Sequence, residues 1–295
     1  MCTMKKKFQM IGFALSVLLV TLPIVTVGAD NAASGKQKKE KTTESALGVK
    51  PVTGSWINLA YKDVRNKYTN PQSFDNMDPK LWEAKVRELS AMGIEYLVLM
   101  EVANEGKSYY PSQIMPWWYN KDKKSPVDAI LDEAAKHNMK IFMSSGWAKD
   151  QDDNLLDPAI KERQLQIMEE LASLYKNHKA FYGWYLPVED CLCPIFAEHA
   201  VQSVNTLSEK AKKLAPGKKT LISPYGIGLS EFDNPEYEKQ MQKLKVDIIA
   251  YQDEVGCVRD QFTLPRLKKN WQRLRDIHNR LNIETVSYTH LTLPT

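Results

Sequence analysis

In this chain of 295 residues, acidic and aromatic side chains gather where apolar runs end. The clearest case is Gly183-Trp184-Tyr185-Leu186-Pro187-Val188-Glu189-Asp190, where two aromatics precede a carboxylate. Cleaving a glycosidic bond needs one protonated carboxyl to donate to the leaving oxygen. A second carboxylate attacks the sugar or activates water. A carboxyl beside aromatic and apolar groups has a raised pKa, which suits the acid role. Glu189 is therefore the candidate catalytic acid/base, with Tyr185 beside it as a candidate substrate contact. The plainer alternative is that Glu189 is a loop acid or caps the following helix.

Other strand ends offer hydroxyl-binding groups and rings. Gln252 and Asp253 follow one apolar run and suit sugar hydroxyls, and either Asp253 or Glu254 can be the second carboxylate. Glu101 and Asn104 follow another. Trp147, preceded by Gly146, Tyr225, and Trp117-Trp118-Tyr119 present flat apolar faces of the kind sugars stack on. Each ring can equally serve in loop or core packing. Asn58 and Tyr61 are weaker candidates. The five His residues show no paired ligand spacing, so neither a metal nor another cofactor is expected.

A regular alternation positions these residues. Strand-like runs cover 55–61, 95–102, 140–147, 180–189, 220–226, 246–256 and 283–287. Between them lie helical patterns over 78–93, 125–138, 157–176, 194–214, 235–245 and 264–281. Asp78-Pro79, Ser125-Pro126 and Asp157-Pro158 are helix starts, pairing a capping side chain with proline in the first turn. Near-continuous apolar runs such as EYLVLMEV mark strands covered on both faces, as parallel strands are. Seven strands alternating with six helices satisfy either an open doubly wound sheet or a closed barrel. The glycine-rich turn of a dinucleotide-binding sheet is missing after the first strand. The loops after strands are long, aromatic and acidic, whereas those before them are short. The expected fold is thus α/β, a (β/α)8 TIM barrel with its site at the strands' carboxyl ends.

The flanks differ in kind. Lys5, Lys6 and Lys7 precede an apolar run from Phe8 through Val27, and small residues stand before Asp30. That is the pattern of a signal peptide over residues 1–29, although its length also approaches a single span. Residues 30–53 are rich in Lys, Ser, Thr, Ala and Gly and read as a flexible linker. The formal charge of +4 shrinks once these parts are set aside. The signal carries three lysines, and the linker's five lysines exceed its three acids by two, leaving the barrel near −1. No nucleic-acid partner is expected from such a balance. Three cysteines remain beyond the signal, too few for a disulfide framework. A Cys193–Cys257 bond and free thiols both stay open. The barrel is expected over 54–285 and to be incomplete, because nothing after the seventh strand supplies an eighth. Residues 286–295 read as a non-native tail, with a native ending as the alternative.

The combination GSWINLAY, EYLVLMEV, GWYLPVED and DIIAYQDEVG resembles an exported bacterial family of TIM barrels of unknown function. That family is classed among candidate glycoside hydrolases, and some members are labelled α-L-fucosidases. The resemblance spans about Gly54 to Leu281 and implies a secreted, periplasmic or cell-surface protein acting on carbohydrate. By similarity to the wider retaining glycosidases, Glu189 matches the acid/base, and the nucleophile falls at the end of the seventh strand. The fucosidase likeness would instead place the nucleophile near the fourth strand and change the role of Glu189. The expected function is an exported glycoside hydrolase-like protein. Its rivals are a non-catalytic carbohydrate-binding barrel of the cell envelope and a surface scaffold.

Export predicts removal of about the first 29 residues. N-terminal sequencing of protein recovered outside the cytoplasm should begin near Asp30. A chain still starting at Met1 would refute the signal.

Overall fold

The computed structural model describes residues 52–59, 78–150, 153–252 and 263–288. Seven parallel strands form one sheet: β1 (Gly54–Ile57), β2 (Tyr96–Leu99), β5 (Lys140–Ser144), β6 (Phe181–Tyr185), β7 (Lys219–Ile222), β8 (Ile248–Gln252) and β9 (Glu284–Tyr288). A small antiparallel hairpin, β3 (Ala103–Asn104) and β4 (Lys107–Ser108), stands in the loop after β2. Helices α1 (Pro79–Ala91), α2 (Pro126–Lys136), α3 (Pro158–Tyr175), α4 (Glu198–Leu214), α5 (Pro235–Lys243) and α6 (Leu264–Leu281) supply the crossovers.

Each strand of the large sheet pairs with the next such strand in the chain, and the order never reverses. A doubly wound sheet must reverse at its switch point, so this order is that of a barrel wall. The curl is measurable. Trp56 on β1 and Tyr185 on β6 are three strands apart, yet their ring centroids lie 6.3 Å from each other. In a flat sheet three steps of ~4.8 Å would separate those strands by about 14 Å.

Side chains alternate between two cores. Leu97, Leu99, Ile141, Met143, Phe181, Trp184, Ile222, Ile249 and Tyr251 join the layer beneath the helices. Val98, Phe142, Tyr185, Leu221, Ile248 and Ala250 fill the concave face, with Trp56, Tyr96, Met100 and Tyr182 packed against them. At the amino ends of the strands, Lys140 Nζ donates to the Tyr96 hydroxyl (2.8 Å) and lies over the rings of Tyr96 and Tyr182. This aromatic and cationic plug fills the lower end of the concave face.

One irregularity sets the parity of β6. Ile141 pairs with Phe181, but Phe142 pairs with Gly183, so Tyr182 is an extra residue. A β-bulge of this kind flips every later side chain to the other face. Trp184 consequently points to the helices and Tyr185 to the interior. The bulge needs glycine. A Cβ on Gly183 would stand 2.6 Å from the Lys219 carbonyl oxygen and 2.7 Å from the Phe142 ring.

Helix starts follow the sequence closely. Asp78, Ser125, Asp157, Asn234 and Thr263 each accept a hydrogen bond from a main-chain N–H of the first turn, with proline beside them. Such caps are worth ~1 kcal/mol each. Helix α4 departs from the expected start at Pro194 and begins at Glu198 without a side-chain cap. Residues 191–197 are engaged elsewhere: the Glu231 N–H donates to the Pro194 carbonyl, and the Ala197 N–H donates to Asp190 Oδ2.

A buried polar chain locks α5 and α6 onto β8. The hydroxyls of Tyr237 and Tyr251 share a 2.6 Å hydrogen bond, and Tyr251 lies 2.8 Å from His278 Nε2. His278 Nδ1 faces the Ile283 carbonyl at 3.0 Å, so this nitrogen carries the proton and Nε2 accepts from Tyr251. Burial lowers the His278 pKa, which favours that neutral ring. Among the described residues no helix is long and apolar enough to cross a membrane.

Gly183→Ala should destabilise the fold by ~1–3 kcal/mol through overpacking. Trimming the ring with Phe142→Leu should recover only part of that loss, because the Lys219 carbonyl cannot retreat. Thermal melting of the single and double variants checks this, and a neutral Gly183→Ala would contradict the account of the bulge.

Candidate active site

The segment 186–192 beyond β6 carries the carboxylate and is tied down on three sides. From β6 itself, the Tyr185 hydroxyl donates to Glu189 Oε1 at 3.2 Å. From the loop after β5, Trp147 Nε1 donates to the Pro187 carbonyl at 3.4 Å. From the loop after β7, the Tyr225 N–H donates to the Asp190 carbonyl, and the Tyr225 carbonyl accepts from the Leu192 N–H (2.9 Å). Gly226 makes room beside this contact: its φ is +84°, and a Cβ there would stand 2.9 Å from Cys191 Sγ. Glu189 is thus held by its own strand and by both neighbouring strand ends.

Burial pushes the Glu189 carboxyl up to about 7, and the Tyr185 hydroxyl works against the shift by favouring the ionised form. A group poised near neutrality exchanges protons in either direction at little cost. The adjacent Asp190 is also raised by burial, but its Oδ2 receives the Ala197 N–H, so it fixes the approach to α4.

The structure sorts the remaining sequence candidates. Trp147 is 6% exposed, its indole committed to Pro187, so it walls the Glu189 segment and presents no open stacking face. Gly146 before it adopts φ +77° with Ile167 against its Cα, which turns the chain so that Trp147 points inward. Tyr185 is fully buried and meets Trp56 edge-on. Glu101 is 1% exposed, and its Oε1 accepts the Leu59 N–H at 2.8 Å. That bond fastens the ends of β1 and β2 together. Asn104 Oδ1 accepts from Tyr109 (3.1 Å) and from Trp118 Nε1 (2.9 Å), which makes it the knot of its own loop.

Trp117 stacks on Tyr119 and Trp118 on Tyr109, with the ammonium groups of Lys121 and Lys107 over the two indoles. These rings pack the loop after β2. Glu170 of α3 anchors that loop by accepting from Tyr110, Ser112 and the Gln113 N–H. Gln252 lies on the inner face and donates through Nε2 to the Ser223 carbonyl at 2.9 Å. Tyr225 is half-buried and Asn58 exposed. Asp253, Glu254, Tyr61 and Cys257 lie outside the described residues, and with Cys257 the pairing to Cys193. Cys193 is exposed. Among the described residues no group of three His, Cys, Asp or Glu side chains is placed to hold a metal.

The gathered set is therefore Glu189, Tyr185, Trp147, Tyr225 and Gln252, whereas Glu101 and Asn104 serve the scaffold. Sequence reasoning missed Trp56, which the curl brings to Tyr185, and Ser223 beside Gln252. The alternation of WIN in the first strand was the available signal for Trp56.

A solved structure shares this architecture. A protein from Bacteroides thetaiotaomicron VPI-5482, provisionally described as an alpha-L-fucosidase, is 19% identical with a TM-score of 0.59, covering 85% of this chain and 79% of its own. A glycoside hydrolase family 5 protein from Bacteroides vulgatus is 11% identical with a TM-score of 0.46, covering 71% of this chain and 45% of its own. The endo-1,4-beta-mannanase of Eisenia fetida is 11% identical with a TM-score of 0.45, covering 68% and 67%. At such identity the first likeness shows the barrel fold alone. No curated protein matches the chain. The sequence description that does match, "Domain of unknown function (DUF4434)", runs over residues 52–290, nearly the whole of the barrel, and the chain belongs to that family.

Proposed function

We propose that this chain is a glycoside hydrolase that acts outside the cytoplasm on an oligosaccharide or glycan, with Glu189 as its general acid/base. The observation that carries the reading is the setting of Glu189. It stands just past the fourth wall strand, is enclosed enough to titrate at about 7, and is oriented by the Tyr185 hydroxyl. Active sites of barrels lie at the carboxyl ends of their strands, where Glu189 sits. A carboxyl with that pKa is largely protonated below neutrality and can give its proton to a leaving glycosidic oxygen. Once ionised, it can take a proton from the incoming water. The second carboxylate is sought at Asp253 or Glu254, just past β8, or, by the likeness to retaining glycosidases, at the end of the seventh strand. The basic start and apolar run of residues 5–27 support action outside the cytoplasm.

Glu189→Gln keeps shape and removes the proton. Turnover of a natural glycan should fall at least ~100-fold, with a smaller loss on activated aryl glycosides, which need less protonation. Reducing-sugar release from a glycan panel is the measurement. Activity equal to the parent removes Glu189 from the mechanism. Glycan binding without cleavage by the parent would make the protein a binding barrel.

The same substitution has a stability signature. The folded pKa of about 7 exceeds the ordinary 4.5, so this group's contribution is intact below pH 4.5 and is lost as pH rises through 7. Glu189→Gln should melt like the parent at pH 4 and be more stable by up to ~3 kcal/mol at pH 8. A stability difference independent of pH would show that Glu189 is not held protonated by burial.

A further inference from the structure

Two residues without an assigned role lie on the concave face, whose Tyr185 donates to Glu189. Trp56 lies on the inner face of β1 and packs against the cluster of Val98, Phe142 and Tyr185. Its ring meets Tyr185 at an interplanar angle of 86°, so the indole lies one ring away from the hydroxyl that orients Glu189. Tyr185 and Trp147, the rings tied to Glu189 and its segment, are buried, whereas Trp56 is only half-buried. An indole with surface left open inside a concavity offers an apolar face to the C–H groups of a sugar ring.

Ser223 follows β7, two residues beyond the inward Leu221, and strand alternation places it on the same face. It is 1% exposed, its carbonyl is occupied by Gln252 Nε2, and its hydroxyl has no hydrogen-bond partner among the described residues. A buried hydroxyl left unpaired carries a desolvation cost that a ligand hydroxyl would offset. Gln252 beside it is held with its amide at the inner face, so two polar groups stand together on the wall.

We propose that Trp56 and Ser223 form the apolar floor and the polar wall of a sugar subsite in front of Glu189. The occupant is a pyranoside laid with its C–H face on the indole and a ring hydroxyl toward Ser223. This assignment rests on the glycosidase reading above and names the residues that hold the sugar for that reaction. Neither residue moves a proton or forms a bond. Their removal acts on affinity and leaves the acid/base intact.

The test uses the whole chain and a panel of methyl pyranosides, whose poor leaving group needs the acid, with binding measured calorimetrically in the Glu189→Gln protein to prevent turnover. Adding Trp56→Phe retains a ring against Tyr185 while shrinking the floor, and should raise Kd about three- to tenfold. Adding Ser223→Ala should raise Kd by a similar factor without lowering the melting temperature, since it deletes an unpaired hydroxyl. With Glu189 intact, both substitutions should raise KM by the same factor, leaving kcat within about twofold and the pH profile in place. An unchanged Kd for Trp56→Phe overturns the floor, and an unchanged Kd for Ser223→Ala overturns the wall. Either result leaves the Glu189 reading standing if Glu189→Gln still abolishes turnover. Binding that depends on Trp56 in a protein whose turnover survives Glu189→Gln would keep the subsite and sink the acid/base. A protein that binds no pyranoside refutes both together.

Discussion

The position of Glu189 depends on a single extra residue in β6. Where Phe142 meets Gly183 instead of Tyr182, the strand changes parity. In the unshifted register Trp184 would point into the concavity and Tyr185 into the helix layer. The hydroxyl that orients Glu189 would then lie on the wrong side of the sheet. Gly183 is the only residue type that permits the shift, because the Lys219 carbonyl and the Phe142 ring occupy the space a Cβ would need. The lower plug of Lys140, Tyr96 and Tyr182 depends on the same event, since Tyr182 is the bulged residue and remains inward.

Above the bulge, the site is organised by main-chain bonds between neighbouring strand ends. Tyr225 pairs with the segment after Glu189, Trp147 reaches Pro187, and Gln252 reaches Ser223. Each contact spans adjacent members of the parallel order, so the curl of the sheet and the spacing of the mouth are coupled. A side chain whose rotamer and backbone are both constrained loses little freedom when a substrate arrives, which is the general requirement of a preorganised site. Trp147 illustrates how this changes the meaning of a residue type. Its ring sits where an open platform was expected, but it spends its indole N–H on the scaffold that carries the acid.

Much of the fold was legible in the sequence because its signals are local and redundant. Asp-Pro and Ser-Pro pairs mark helix starts, and the run EYLVLMEV can only be a strand covered on both faces. Alternation with helices then implies a parallel sheet, and the long acidic and aromatic loops after the strands favour the barrel order over the doubly wound one. The candidate Glu189 was legible as a carboxylate after paired aromatics at a strand end. At Glu101 the sequence left the direction of the side chain open. A strand apolar on both faces carries no period-two pattern, so the sequence does not say which face its terminal residue shares. The same ambiguity hid the bulge. The start of α4 was misplaced because Pro194 is also a legitimate helix opener, and only the competing bonds to Glu231 and Asp190 decide against it.

The energetics of Glu189 separate a structural from a chemical role. A carboxylate serving the scaffold is held ionised: Glu133 of α2, bonded to Arg87, Lys136 and His137, is lowered to about 2. Glu189 departs in the opposite direction: burial raises it, and the Tyr185 hydroxyl opposes that rise. Burying an acid in this way opposes folding at neutral pH. Asp190, next in the chain, already supplies the bond that α4 needs. A carboxyl raised by burial at a strand's carboxyl end is the kind of perturbation that marks a candidate functional group.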